Sequence, residues 1–145
     1  MTKTSKIFTL NAPYNNPYQG NDARLLFVCS VGMLRSPTAA DVATGMGFNA
    51  RSCGTDTMAL IPLTANLIAW ADTIFFMNRE NYEQAMRTFS NTGWEEDIES
   101  KKSFIHVDDD YDRNDPTLRT ICWHALKEFK VDRICTFNKP LKPRT

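Results

Sequence analysis

The twelve residues from Leu25 to Ser36 constrain this chain more than any other stretch. Leu25-Leu26-Phe27-Val28 is a short apolar run of the buried-strand type. It feeds directly into Cys29-Ser30-Val31-Gly32-Met33-Leu34-Arg35-Ser36, and Pro37 follows. Thr38-Ala39-Ala40-Asp41-Val42-Ala43 then reads as a helix, with Ser36 as its expected N-cap and Pro37 at its first position. A cysteine is thus expected at the end of a strand, in a loop that opens a helix. Such a junction belongs to a parallel, doubly covered sheet, where ligands sit beyond the carboxyl ends of the strands.

The physics of that junction suggests chemistry. Backbone N–H groups of a tight loop, together with the unpaired N–H groups of a helix start, make a nest for an anion. The same field, reinforced by a nearby cation, favours a thiolate. Arg35 supplies the cation, and its planar fork can hold two phosphate oxygens at once. Ser36 can donate its hydroxyl to the thiolate and later help it leave. Gly32 lets the backbone turn left-handed without a Cβ penalty, so the N–H groups of Ser30, Val31, Gly32, Met33 and Leu34 can face inward. With four cysteines in the chain, the Cys-(five residues)-Arg-Ser pattern arises by chance about once in a hundred. The bland alternative is a buried structural thiol with Arg35 as a surface charge. The strand before and the helix after favour the chemical reading.

The segment resembles the phosphate loop of the low-molecular-weight protein tyrosine phosphatases, in particular their short bacterial and phage members. The resemblance runs from about Arg24 to about Lys130. Arg51-Ser52-Cys53-Gly54-Thr55 is similar to the family's second-strand Ser-Ala-Gly-Thr. Ala69-Trp70-Ala71-Asp72-Thr73-Ile74-Phe75-Phe76-Met77 looks like its helix-to-third-strand junction. Asp109-Asp110-Tyr111 resembles the Asp-Pro-Tyr that carries the family's general acid, which puts the acid at Asp109 and makes Tyr111 a wall for an aromatic leaving group. The chain departs from the family pattern at three places. Asp110 replaces a common proline and is a rival acid. Gly32 replaces an asparagine that pins the loop. Leu34 replaces the second cysteine with which some relatives protect the nucleophile by a disulfide, so oxidation of Cys29 can run to irreversible acids.

The rest of the chain alternates strand and helix. Strands are expected at about 24–29, 49–54, 73–77 and 103–107. Helices are expected at about 37–46, closed by Gly47, and at about 64–70 from Thr64. A third follows a cap at Asn78 and carries Tyr82, Ala85, Met86 and Phe89 on one face. The last opens at Asp115-Pro116, with Leu118, Ile121, Cys122, Ala125, Leu126 and Phe129 on one stripe. The expectation is an α/β three-layer sandwich: a four-stranded parallel sheet, order 2-1-3-4, with helices on both faces. Residues 24–145 form the phosphatase-like domain, and 1–23 an N-terminal arm. The arm is rich in turn formers from Asn11 to Gly20. Its Phe8, Tyr14 and Tyr18 suit it for docking on the body or on a second copy, so a homodimer is open. Trp94, in the polar stretch 90–102, reads equally as a rim residue or a loop anchor.

Composition excludes several classes. Seventeen basic and seventeen acidic residues cancel, which gives no footprint for nucleic acid or a membrane surface. The apolar runs are too short to span a bilayer, and the start of the chain lacks a signal-peptide core. Cys29, Cys53, Cys122 and Cys135 show no paired spacing, so a reducing, cytoplasmic setting is expected, with the last three as core or surface thiols. The acidic run Asp108-Asp109-Asp110-Tyr111-Asp112 could hold a divalent ion. Thiolate chemistry needs none, so no metal or cofactor is expected. His106 and His124 are read as structural or solvated.

These residues imply hydrolysis of phosphotyrosine in a protein, or of a small aryl phosphate, by way of a cysteinyl-phosphate. Phosphate, sulfate or vanadate would occupy the loop. Three rival readings remain, one of them a structural or host-interaction role carried by the N-terminal arm. Another is a non-catalytic binder of phosphate or phosphoproteins. The third is a thiol-dependent arsenate reductase, which would need relay cysteines that residues 78–120 lack.

Overall fold

The computed structural model describes residues 23–30, 35–56, 59, 61–107 and 114–137, with side chains as far as Phe129. Residues 1–22, all of the expected arm except Ala23, lie outside them. Four strands, β1 (Arg24–Cys29), β2 (Asn49–Gly54), β3 (Thr73–Phe76) and β4 (Lys102–Phe104), form one sheet in the order β2-β1-β3-β4. Each neighbouring pair is parallel. Between and after them, among the described residues, run five helices: α1 (Arg35–Gly45), α2 (Ala65–Trp70), α3 (Arg79–Thr88), α4 (Glu95–Lys101) and α5 (Pro116–Phe137). None is long and apolar enough to cross a membrane.

Strand β1 is central, and Leu25 to Cys29 are all buried, as a continuous apolar run in a doubly covered sheet requires. Its side chains alternate between two cores. Leu25, Phe27 and Cys29 join Phe75, Met77, Leu118, Cys122 and Leu126 on the face covered by α1 and α5. Leu26 and Val28 join Cys53, Ile68, Trp70, Phe76, Ala85 and Ile98 on the face covered by α2, α3 and α4. Phe27 and Phe75 stack at 5.2 Å between ring centroids, and Phe129 meets Phe75 edge-on at 5.3 Å. The expected stripe of α5 therefore does seal the first core.

Local chemistry explains most element boundaries. Thr64 caps α2 by accepting the Leu67 N–H at 3.3 Å, and Asn78 caps α3 by accepting the Asn81 N–H at 2.9 Å. Asp115 accepts the Thr117 N–H at 2.8 Å at the start of α5, directly before Pro116. Gly47 ends the α1 connection with φ of 95°, which a side chain would resist.

Three boundaries differ from the sequence reading. Helix α1 starts at Arg35, so Ser36 lies inside the helix and does not cap it. The Ser36 hydroxyl is committed to the site instead, and Pro37 is tolerated because the first helical turn needs no intrahelical N–H partner. Strand β4 runs from 102 to 104, not 103 to 107. The chain beyond still hydrogen-bonds to the end of β3, Ile105 N–H to Phe76 O and Val107 N–H to Met77 O, both at 3.0 Å. The polar stretch 90–102 holds α4, whose apolar content is too thin for periodicity to reveal: Ile98 alone is buried on it. Trp94, just before it, is buried in the second core as an anchor and not a rim residue.

Candidate active site

The end of β1 and the start of α1 bring Cys29 and Ser36 together, and Arg35 is the first residue of α1. The Cys29 Sγ lies 3.0 Å from the Ser36 Oγ, in a buried contact. That Oγ also donates to the Cys53 carbonyl at 3.2 Å. One hydroxyl proton thus has two acceptors within reach, and it can turn from the carbonyl to the sulfur when the sulfur carries charge. Strand β2 grips the same corner. The Thr55 N–H donates to the Cys29 carbonyl at 2.9 Å, and the Asp56 N–H donates to the Ser30 carbonyl at 2.7 Å.

Arg35 is buried at 5% exposure, and its Nη1 donates to the Val107 carbonyl at 3.0 Å. Val107 directly precedes the acidic run in sequence, so the guanidinium ties the residue before that run to α1. The far side of the run is tied to the same helix: the Asn114 N–H donates to the buried Thr38 Oγ1 at 2.9 Å. Arg119 of α5 reinforces this end, with its Nη1 at 3.2 Å from the Asn114 Oδ1 and 2.6 Å from Asp41. Residues 108–113, including the candidate acids Asp109 and Asp110 and the candidate wall Tyr111, lie outside the described residues. So do Val31, Gly32, Met33 and Leu34 of the expected phosphate loop.

Cys53 stands one register step away and has a different environment. Val28 pairs with Cys53 and Cys29 with Gly54, so the two sulfurs leave the sheet on opposite faces. Burial in the second core, helped by proximity to Cys29, pushes the Cys53 thiol well above its ordinary range. Burial likewise lifts Cys122 to about 11, with Arg119 opposing. Both are core thiols, as expected; the Cys135 side chain lies outside the description. His106 is exposed just beyond β4, its ring stacked on Phe104 at 5.7 Å. His124 is exposed on α5 beside Trp123.

One residue of this corner escaped the sequence reading. Asn81 of α3 is fully buried, and its Nδ2 donates to the Ser30 Oγ at 2.9 Å. Nearby, the Thr55 Oγ1 donates to the Gln84 Oε1 at 2.5 Å. The clue in the sequence is faint: an asparagine in the first turn of a helix that starts directly above a central strand.

Comparison with solved structures places the fold. The tyrosine phosphatase Wzb from Escherichia coli K30, solved in complex with phosphate, superposes with a TM-score of 0.60 at 15% identity, covering 77% of this chain and 99% of that one. The low molecular weight protein tyrosine phosphatase SP-PTP from Streptococcus pyogenes gives 0.58 at 18% identity, covering 73% and 92%. The YwlE arginine phosphatase from Geobacillus stearothermophilus gives 0.56 at 17% identity, covering 77% and 96%. No protein-family model and no curated protein sequence matches the chain. The four-stranded parallel sheet with its β2-β1-β3-β4 order and flanking helices is the low-molecular-weight tyrosine phosphatase fold.

Proposed function

We propose that this chain is a cysteine-dependent phosphatase of the low-molecular-weight protein tyrosine phosphatase family, with Cys29 as nucleophile. The observation that carries the reading is the Cys29–Ser36 contact of 3.0 Å at the start of α1, the helix whose first residue is the buried Arg35. The fold shared with solved phosphatases, one of them holding phosphate, supports it.

The Cys29 thiolate attacks phosphorus in line and forms an S–P bond as the P–O bond to the leaving group breaks. Arg35 and the N–H groups of Ser30, Val31, Gly32, Met33, Leu34 and Arg35 hold the three equatorial oxygens, where transition-state charge spreads. Asp109 as a carboxylic acid gives its proton to the departing phenolate, with Asp110 as the rival for this role. The resulting carboxylate takes a proton from water as that water attacks phosphorus. The S–P bond breaks, phosphate leaves, and the thiolate returns with a hydrogen bond from Ser36. No step calls for a metal or a cofactor. The Arg35 contact to Val107 supports a acid delivered from the segment that follows β4. Tyr111 as an aromatic wall favours an aryl leaving group.

The neighbours of this fold include both tyrosine and arginine phosphatases, so the leaving atom needs its own test. We further assign residues 24–145 to the catalytic domain and 1–23 to an arm able to dock on it or on a second copy, in a reducing, cytoplasmic setting.

The deciding experiment is hydrolysis of p-nitrophenyl phosphate and of phosphoarginine against pH, with vanadate as inhibitor and with Asp109→Ala and Asp110→Ala beside the wild type. The expected result is a bell-shaped, chelator-insensitive profile on the aryl ester, its basic limb lost in Asp109→Ala. No turnover with tight vanadate binding would turn the reading into a phosphate-binding protein.

A further inference from the structure

Asn81 takes no part in the reaction as written, yet it is fully buried against the segment that bears the nucleophile. Its place is fixed from its own helix. It is the third residue of α3, and its backbone N–H is held by the Asn78 cap at 2.9 Å. From there its Nδ2 reaches the hydroxyl of Ser30, the residue directly after Cys29, at 2.9 Å. Strand β3 ends beside the end of β1, so α3 starts next to Ser30.

The loop sequence makes that single bond important. Between Cys29 and Arg35 the chain reads Ser-Val-Gly-Met-Leu. Ser30 is the one residue there with a hydroxyl, amide or charged side chain. Gly32 offers no side chain at all, so of these five residues only Ser30 has a side chain that a neighbouring element can hydrogen-bond. The Ser30 backbone is already held by Asp56 at 2.7 Å; Asn81 fixes the remaining freedom of the residue.

A second observation concerns the other end of the amide. The Oδ1 of Asn81 is buried with no hydrogen-bond partner among the described residues. An unpaired buried carbonyl oxygen is costly, and an apolar side chain there would avoid the cost. An amide at this position is accounted for by work on the loop, not by the stability of the core.

We propose that Asn81 is a positioning residue for the oxyanion cradle, acting through Ser30 to hold the backbone next to Cys29 in the arrangement that a phosphoryl group needs. The proposal rests on the phosphatase reading above. It predicts that loss of Asn81 weakens the hold on tetrahedral and trigonal-bipyramidal oxyanions and leaves proton delivery to the leaving group untouched.

The test is alkylation of Cys29 by iodoacetamide, mapped by peptide mass, with inorganic phosphate or vanadate as protectant. It requires no turnover. The wild type is compared with Asn81→Ala, Ser30→Ala and the double variant. Each single variant is expected to raise the vanadate concentration for half-protection about tenfold, the order of one lost hydrogen bond. The double variant is expected to be no worse than either single, because both remove the same bond. The ratio of kcat/KM for p-nitrophenyl phosphate to that for phenyl phosphate stays at the wild-type value, since the acid is intact. Unchanged half-protection in Asn81→Ala with a lowered thermal midpoint would mean a purely structural residue and overturn the proposal. So would additive effects in the double variant. If Asn81→Ala fails to fold, Ser30→Ala removes the same bond from the other side, and unchanged half-protection there is equally fatal. Protection of the wild type with none of the expected shifts refutes the role of Asn81 alone; failure of vanadate to protect even the wild type refutes the phosphatase reading, and this role with it.

Discussion

Cys29 and Cys53 sit on neighbouring strands one register step apart, and the sheet puts their side chains in different cores. Cys29 ends its strand with a serine hydroxyl of the following helix at 3.0 Å, and a buried arginine is the first residue of that helix. Cys53 also lies near the end of its strand, but on the opposite face, beneath Ile68, Trp70 and Ala85. Burial there holds its thiol protonated. The residue type and even the strand position are nearly shared. Parity and the element that follows decide which sulfur can meet an anion.

The strongest way to break this comparison is to exchange the oxygen analogue at each site. Cys29→Ser is expected to lower turnover of p-nitrophenyl phosphate by at least ~10³-fold while phosphate still binds. Cys53→Ser is expected to leave kcat/KM within about twofold and to cost roughly 1–3 kcal/mol of unfolding free energy, the penalty of a hydroxyl in an apolar core. Chemical denaturation beside steady-state kinetics reads both; a silent Cys29→Ser would end the assignment. Arg35→Lys keeps the charge but loses the fork and the bond to Val107, so a drop of about 10²-fold in kcat/KM with weakened vanadate inhibition is expected.

A smaller effect sharpens the comparison from the acid's side. Thr38→Val removes the acceptor of the Asn114 N–H. The rate on phenyl phosphate, whose leaving group needs a proton, should fall several-fold more than on p-nitrophenyl phosphate, as loss of part of a general-acid contribution requires. Equal losses on both esters would separate Thr38 from acid placement.

The smallest effect lies at high pH. Cys122 is buried and its thiol is raised to about 11, above its ordinary range near 9. A group held protonated in the folded state contributes fully below its unfolded pKa, and that contribution is lost as pH rises through the folded value. The thermal midpoint should therefore fall between pH 9 and 11, and Cys122→Ala should flatten that fall while lowering the midpoint at neutral pH by leaving a small cavity.

What the sequence disclosed followed local rules. Caps at Thr64, Asn78 and Asp115, the continuous run of β1 and the stripe of α5 are each written in a few adjacent residues, and each stands in the structure as read. The helix at Glu95–Lys101 was not legible, because six of its seven residues are polar and its role is to carry Ile98 inward. Ser36 was misplaced as a cap because a serine before a proline has two possible uses, and only the distance to Cys29 selects one. Asn81, Thr38 and Arg119 were invisible for a third reason. Their bonds to Ser30, Asn114 and Asp41 join positions 51, 76 and 78 residues apart, and no spacing rule reaches across a fold.

Helix α1 holds Val107 through Arg35 and Asn114 through Thr38. The residues on either side of 108–113 are therefore both fastened to one beam. Lengthening such a stretch costs little chain entropy, since closure cost grows only slowly with length. Under the phosphatase reading, a library randomised at those six positions would vary the leaving-group side while leaving Cys29 and the core beneath it unchanged.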